Sequence, residues 1–112
     1  MVVPINKKDY EVFISESKIF KKTYDLMVKC LRSWYDDDKE KFINDMWTDF
    51  DTVMNTYRFE NEGVSISKSY SYDPPLDYIS CWIRIYDAED TYCIEYTAFF
   101  DYELNCIDDK IC

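Results

Sequence analysis

The spacing of apolar positions changes once along the chain, and that change divides it in two. From Asn6 onward, Tyr10, Phe13, Phe20, Tyr24, Met27, Leu31 and Trp34 recur three, four or seven positions apart. That is one stripe of a 3.6-residue helix. Asn6, with Asp9 three positions on, can satisfy the free N–H groups of a first turn. Ser15 and Ser17, inside the pattern, mark a kink or a restart. Asp36-Asp37-Asp38 is a second start signal, because carboxylates are favoured at a helix N-terminus. Behind it Phe42, Ile43, Met46, Trp47, Phe50, Val53, Met54 and Tyr57 form an apolar face. Asp45 and Asp49 lie four apart on the opposite face, where they repel each other. The short connection predicts an antiparallel helical pair over residues 6–58.

From Gly63 the period becomes two. Val64, Ile66, Tyr70 and Tyr72 alternate with serines as far as the turn Asp73-Pro74-Pro75-Leu76. Ile79, Cys81, Ile83 and Ile85 then alternate with Tyr78, Ser80, Trp82, Arg84 and Tyr86. Asp87-Ala88-Glu89-Asp90 reads as a turn, and a third strand runs from Thr91 to about Glu103. The tail, with a turn at Asp108-Asp109-Lys110, adds a short edge strand. Closing the second hairpin around Ala88-Glu89 pairs Ile85 with Tyr92, Ile83 with Ile94, Cys81 with Tyr96 and Ile79 with Ala98. The first hairpin then sets Val64 against Ile85, Ile66 against Ile83 and Tyr70 against Ile79, with Lys68 opposite Cys81 the one misfit. The expectation is a single α+β domain over residues 1–112. Two N-terminal helices pack on one face of a three- to four-stranded antiparallel meander formed by residues 63–112.

The same register composes the second face of the sheet. It sets Tyr78 opposite Phe99, Trp82 opposite Glu95 and Arg84 opposite Cys93, with Tyr86 beyond and Asp101 and Glu103 extending the row. Rings supply burial and hot spots, and carboxylates steer a partner in. Exposed rings without a purpose invite aggregation. Such a face is therefore a binding surface, or is covered by the first helix or the tail, or is covered by a second copy of the chain. The candidate binding residues are Tyr78, Trp82, Tyr86, Glu95, Phe99 and Asp101 on the sheet, with Asp87, Glu89 and Asp90 at the hairpin tip. Asp45 and Asp49 form a second acidic locus.

Charge adds a direction to this picture. The net charge is −10, and it is unevenly spread. Residues 1–41 carry nine Lys or Arg against eight Asp or Glu, whereas residues 42–112 carry four against fifteen. Such a field repels nucleic acid and anionic membranes and attracts basic proteins. Eleven tyrosines, seven phenylalanines and three tryptophans supply ample core, so the charge does not imply disorder. No leader or membrane-spanning run is apparent, and five cysteines without regular spacing read as free thiols of a reducing cytoplasm.

The chemistry open to the chain is narrow. Histidine is absent, which removes the commonest general base and metal ligand and any Ser-His or Cys-His pair. The single glycine, Gly63, rules out phosphate-binding and dinucleotide loops. No close cysteine pair suits zinc, and Asp36-Asp37-Asp38 reads as a helix cap rather than a calcium loop. Glu16-Ser17-Lys18 matches two positions of a nuclease-type Asp…Glu-x-Lys arrangement, but on a helix it reads as a solvated pair. The expectation is a binding protein that is not an enzyme and carries no cofactor or metal.

In size, charge and lack of catalytic equipment the chain resembles two classes of inhibitor. One is the immunity protein that blocks a bacterial nuclease toxin. The other is the virus-encoded antagonist of a nucleic-acid-binding defence enzyme, in which carboxylates mimic phosphates. Either resemblance implies a basic protein partner, with no direct nucleic acid or membrane, in the cytoplasm of a bacterial or virus-infected cell. The stretch Cys30 to Phe50 also resembles the opening helices of nuclear-transport-factor-2-like domains, and Asp108 to Ile111 their closing turn. That resemblance implies a cone-shaped fold enclosing a pocket for a small ligand or a carboxylate-driven reaction. A self-associating structural subunit, pairing through an open sheet edge, is the third expectation.

Overall fold

The structure, a computed structural model, describes residues 6–112; residues 1–5, part of the stretch read above as lacking a leader, lie outside it. Each of the two expected helices is divided. Asn6 accepts hydrogen bonds from the Lys8 and Asp9 N–H groups and starts α1 (Lys7–Ser17), which ends at Lys18 with φ at 54°. α2 (Ile19–Asp37) follows at once and buries Ile19, Thr23, Met27 and Leu31. Asp38 caps α3 (Lys39–Met46) by accepting from the Lys41 N–H, and Trp47, at φ 68°, breaks it. Asp49 then caps α4 (Phe50–Thr56) through the Thr52 N–H at 2.8 Å. Phe42, Met46, Phe50 and Val53 remain one buried row across the second break. Ile43 and Trp47, both expected on the apolar face, are exposed to solvent.

Four strands follow, β1 (Arg58–Ser69), β2 (Leu76–Tyr86), β3 (Tyr92–Phe100) and β4 (Cys106–Ile111). They form one antiparallel sheet in the order β1-β2-β3-β4. The α+β architecture is as expected, but the register is not. Ile85 faces Ile94, Ile83 faces Tyr96, Cys81 faces Ala98 and Ile79 faces Phe100, a slip of two positions. Val64 faces Cys81 and Ile66 faces Ile79, a slip of four. Both slips are even, so most side chains keep their expected face; the register shift between Ile85 and Tyr86 is the exception, bringing Tyr92 to the second face and Cys93 to the core side.

The turns account for the slip at β2–β3. A two-residue loop was too short. Asp87 N–H bonds the Thr91 carbonyl at 2.9 Å and Asp90 N–H the Asp87 carbonyl at 3.0 Å. The Asp87 carboxylate accepts from the Glu89 and Thr91 N–H groups at 2.9 and 2.8 Å. This is an aspartate-closed turn with a left-handed fourth residue, Asp90 at φ 69°. The same five-residue turn recurs between β3 and β4. There Asp101 accepts from Glu103 and Asn105 at 2.9 and 3.0 Å, and Leu104 has φ 67°.

Other boundaries move with it. β1 begins at Arg58 and is bulged at Glu62, between Asn61 and Gly63. Lys68 lies opposite Asp77, in an ion pair of 3.3 Å, so the expected misfit against Cys81 disappears. Tyr70 and Tyr72 belong to the turn after β1 rather than to the strand. β3 ends at Phe100, short of Glu103. Asp108-Asp109-Lys110 is extended within β4, not a turn, so the resemblance to a closing turn fails there.

All four helices lie on the Ile79–Cys81–Ile83–Ile85 side of the sheet. The two layers are joined by Met27, Leu31, Phe42, Ile83, Tyr96 and Phe100, each at most 1% exposed. The Tyr96 hydroxyl donates to the Asp109 carboxylate at 2.7 Å, tying β4 to the sheet. These side chains fill the middle of the space between helices and sheet; nearer β4 a cleft of about 570 Å³ remains, lined by Trp34, Lys41, Asp45, Cys93, Ile94 and Ile111.

Candidate functional site

Neither the first helix nor the tail crosses the second face of the sheet. The Tyr10 hydroxyl on α1 donates to the Val64 carbonyl, and Phe13 and Ile14 pack against the core. The tail is the edge strand β4. Tyr78, Ser80, Trp82, Arg84 and Tyr86 of β2 are all half-buried and form the spine of this face. Their neighbours differ from the sequence expectation because of the slip. Ser80 faces Phe99, Trp82 faces Thr97, and Arg84 faces Glu95.

Trp82 lies flat rather than projecting. Its β1 partner is Gly63, and a Cβ placed there would meet the Trp82 ring at 2.3 Å. The one glycine of the chain therefore makes room for the indole to cover the strand. This packing divides the face into two halves.

The half nearer the β2–β3 turn is closed by paired charges. Arg58 stacks 4.2 Å from the Tyr86 ring centre and binds Asp90 at 2.7 Å and Glu60. Arg84 lies 5.8 Å over the Tyr92 ring and reaches Glu95 at 3.3 Å and Glu62 at 3.5 Å. Tyr86 and Tyr92 meet edge to face at 5.9 Å. The carboxylates hold both guanidinium groups above their ordinary pKa, the Asp90 hydrogen bond being the largest cause for Arg58 and the Glu95 bond for Arg84. Sequence reasoning left Arg58 out of this face because β1 was expected to begin later.

The other half is open. Tyr72, Leu76, Tyr78, Phe99, Ile107 and Asp108, with Ser69 and Ser71, line a cleft of about 560 Å³. Tyr78 and Phe99 are 6.0 Å apart, and Lys110 places its ammonium 5.9 Å over the Phe99 ring. Asp108 is the register partner of Phe99. Tyr72 is 58% exposed at the mouth. Neither Tyr72, Ile107 nor Asp108 was singled out from sequence, since each was assigned to a different element or face.

The remaining expected residues separate by role. Tyr78, Trp82, Tyr86, Glu95 and Phe99 do share the open face, as the register arithmetic implied. Asp87 and Asp101 spend their carboxylates closing turns, so Asp101 does not extend the sheet row. Asp90, though exposed, is held by Arg58, which leaves Glu89 as an exposed tip carboxylate with no ion pair among the described residues. The Trp47 break falls between Asp45 and Asp49, so the two do not share one continuous helix face. Asp45 binds Lys41 at 2.9 Å, and Asp49 caps α4. Among the described residues no three carboxylate or thiol side chains converge on a metal-sized site.

Two of these structural carboxylates give the protein a pH dependence. Hydrogen bonds from Thr52 hold Asp49 below the ordinary carboxylate pKa, and those from Asn105 and Glu103 do the same for Asp101. With folded pKa values depressed, their stabilisation is complete above about pH 3.9 and is lost as the pH falls through the lower, folded values. Asparagine also serves as cap and turn former. Asp49→Asn with Asp101→Asn is expected to leave stability near neutral pH almost unchanged and to flatten the acid limb below about pH 4. Urea midpoints measured from pH 2 to 7 check this.

Comparison with known protein families, with curated proteins and with solved structures finds no match.

Proposed function

We propose that this chain is an inhibitor that works by binding, and that its open sheet face docks on a basic, nucleic-acid-binding or nuclease protein. The observation that carries the reading is the open aromatic cleft at one end of a face that no element of the described chain covers. Asp108 lines that cleft, and Asp73 follows Tyr72 in the turn that forms its mouth, while Lys68 is paired with Asp77. Rings and carboxylates in this arrangement combine burial with long-range attraction, which favours fast and salt-sensitive association. The whole-chain charge of −10 acts in the same direction. A toxin-immunity protein or a virus-encoded antagonist fits this mode, with carboxylates occupying a cleft built for phosphates.

Two features refine the earlier expectation. Most carboxylates of the Arg58–Arg84 half are neutralised within the chain, so the attraction concentrates at the cleft end and at Glu89. The small-ligand reading, in which a pocket lies between helices and sheet, keeps one supporting observation, the cleft of about 570 Å³ between Trp34, Lys41 and Asp45 on the helices and Cys93, Ile94 and Ile111 on the sheet. Self-association keeps one supporting observation. Among the described residues β4 pairs only with β3, and the Ile107, Asp109 and Ile111 peptide groups face its other edge.

The test is capture from lysate of a candidate host by the immobilised protein, washed first at low salt and then at about half-molar salt, where exposed charge pairs are screened. One basic protein in near-equal amount, released by the salt step, is the expected result. An empty lane, or recovery of the chain's own dimer alone, counts against the reading.

A further inference from the structure

We infer that the cleft receives an arginine side chain of the partner; this rests on the basic-partner reading and names the group that it recognises. The open face repeats one arrangement. Arg58 lies over Tyr86 while Asp90 and Glu60 hold its guanidinium, and Arg84 lies over Tyr92 while Glu62 and Glu95 hold it. Each unit is a ring, a guanidinium and carboxylates. The cleft supplies the same rings and a carboxylate, Tyr78 and Phe99 with Asp108, but no guanidinium from this chain. Asp108 makes no ion pair among the described residues; its Oδ1 accepts only the neighbouring Asp109 N–H, at 2.8 Å.

The surroundings favour a cation there. The Lys110 ammonium, 5.9 Å over Phe99, lies on a ring face and leaves Tyr72 and Tyr78 without a cation of their own. Lys68, the other lysine at this end, is held by Asp77 at 3.3 Å. A neutral apolar side chain would cover Asp108 and the two serine hydroxyls without bonding them, which is unfavourable. Arginine suits the site better than lysine. Its planar group stacks on a ring while its fork donates to a carboxylate and to hydroxyls, and an open cleft does not require a compact head. At about 560 Å³ the cleft is large enough for one extended side chain.

The experiment is an NMR titration of the full chain with a Gly/Ser peptide carrying one arginine, beside the same peptide carrying neutral citrulline. The arginine peptide is expected to move the ring signals of Tyr72, Tyr78 and Phe99 with millimolar affinity, and citrulline to leave them in place. Asp108→Asn and Tyr72→Ala, both at exposed positions, are each expected to weaken binding about two- to fivefold, the size of one exposed contact. Unchanged amide signals outside the cleft report that each variant is folded. Equal movement by both peptides overturns the assignment to a guanidinium. Movement confined to other carboxylates overturns the cleft and leaves the basic-partner reading standing. No movement anywhere overturns the cleft and removes the electrostatic ground of that reading as well.

Discussion

Gly63→Ala is expected to lower stability by about 1–3 kcal/mol, the range for forcing extra volume into a packed site. The new Cβ meets three Trp82 ring atoms at 2.3, 2.7 and 2.8 Å, closer than carbon atoms can rest. Either the indole rotates off β1 or the β1–β2 ladder opens beside the bulge at Glu62. Trp82→Ala alone loses the burial of a half-exposed ring. In the double variant the added methyl has nothing to strike, so the second substitution is expected to cost little or nothing once the first is present. A double-mutant cycle in urea isolates this coupling, because the two residues are in direct contact. Additive losses would show that the ring does not lie over Gly63. The result also bears on function: a flat indole is a platform for a partner, whereas a displaced one would project into it.

Phe42→Ala is expected to cost about 3–5 kcal/mol, as for other fully buried rings. Phe42 has no exposed surface and meets Trp34 at 4.9 Å and Tyr35 at 5.1 Å, both edge to face. It is the main anchor of α3, a helix of eight residues too short to persist by propensity alone. Removing it leaves a cavity between α2 and α3 and releases the edge contacts of two aromatic neighbours. For a domain with about 5–15 kcal/mol of stability, that is a large share. Trp47→Ala, next to the same helix but 58% exposed, is expected to change stability by less than about 0.5 kcal/mol. Urea unfolding followed by far-ultraviolet dichroism compares the two. Equal effects would mean that α3 is not held through Phe42.

The sequence made the layers legible because apolar periodicity reports burial directly. The change from a 3.6 to a 2 period marks the boundary between helices and sheet, and Asn6 and Asp38 mark helix starts where expected. Ser15 and Ser17 marked the first helix break, which falls at Lys18, but the second break was not legible. Lys18 and Trp47 adopt left-handed φ, a conformation usually announced by Gly or Asn, and Phe42, Met46, Phe50 and Val53 keep their spacing through the second break. Most faces of the strands were read correctly although both registers slipped, since a slip of two or four positions preserves parity; Tyr92 and Cys93 changed faces at the irregularity beside Tyr86. A signal for the turns was present. Asp87-Ala88-Glu89-Asp90-Thr91 and Asp101-Tyr102-Glu103-Leu104-Asn105 share an aspartate, a glutamate two positions on and a Thr or Asn at the end.

The site was half legible for a related reason. Linear charge counting assigns residues 42–112 a strongly negative character, but strand pairing draws Arg58, Arg84 and Lys110 onto one face. Carboxylates that look available in sequence are used locally, Asp49 as a cap and Asp87 and Asp101 as turn closures. The cleft itself is assembled from the turn after β1, from β2, from β3 and from β4, so no stretch of sequence contains it.

The most direct measurement is a hydroxyl-radical footprint of the protein alone and in complex with the basic protein it captures. Protection of Tyr72, Tyr78, Phe99 and Ile107, with Ile43 and Trp47 on the helical side labelled as before, is the expected result. Protection of Ile43 and Trp47 with the cleft residues unchanged would contradict binding through the open face of the sheet.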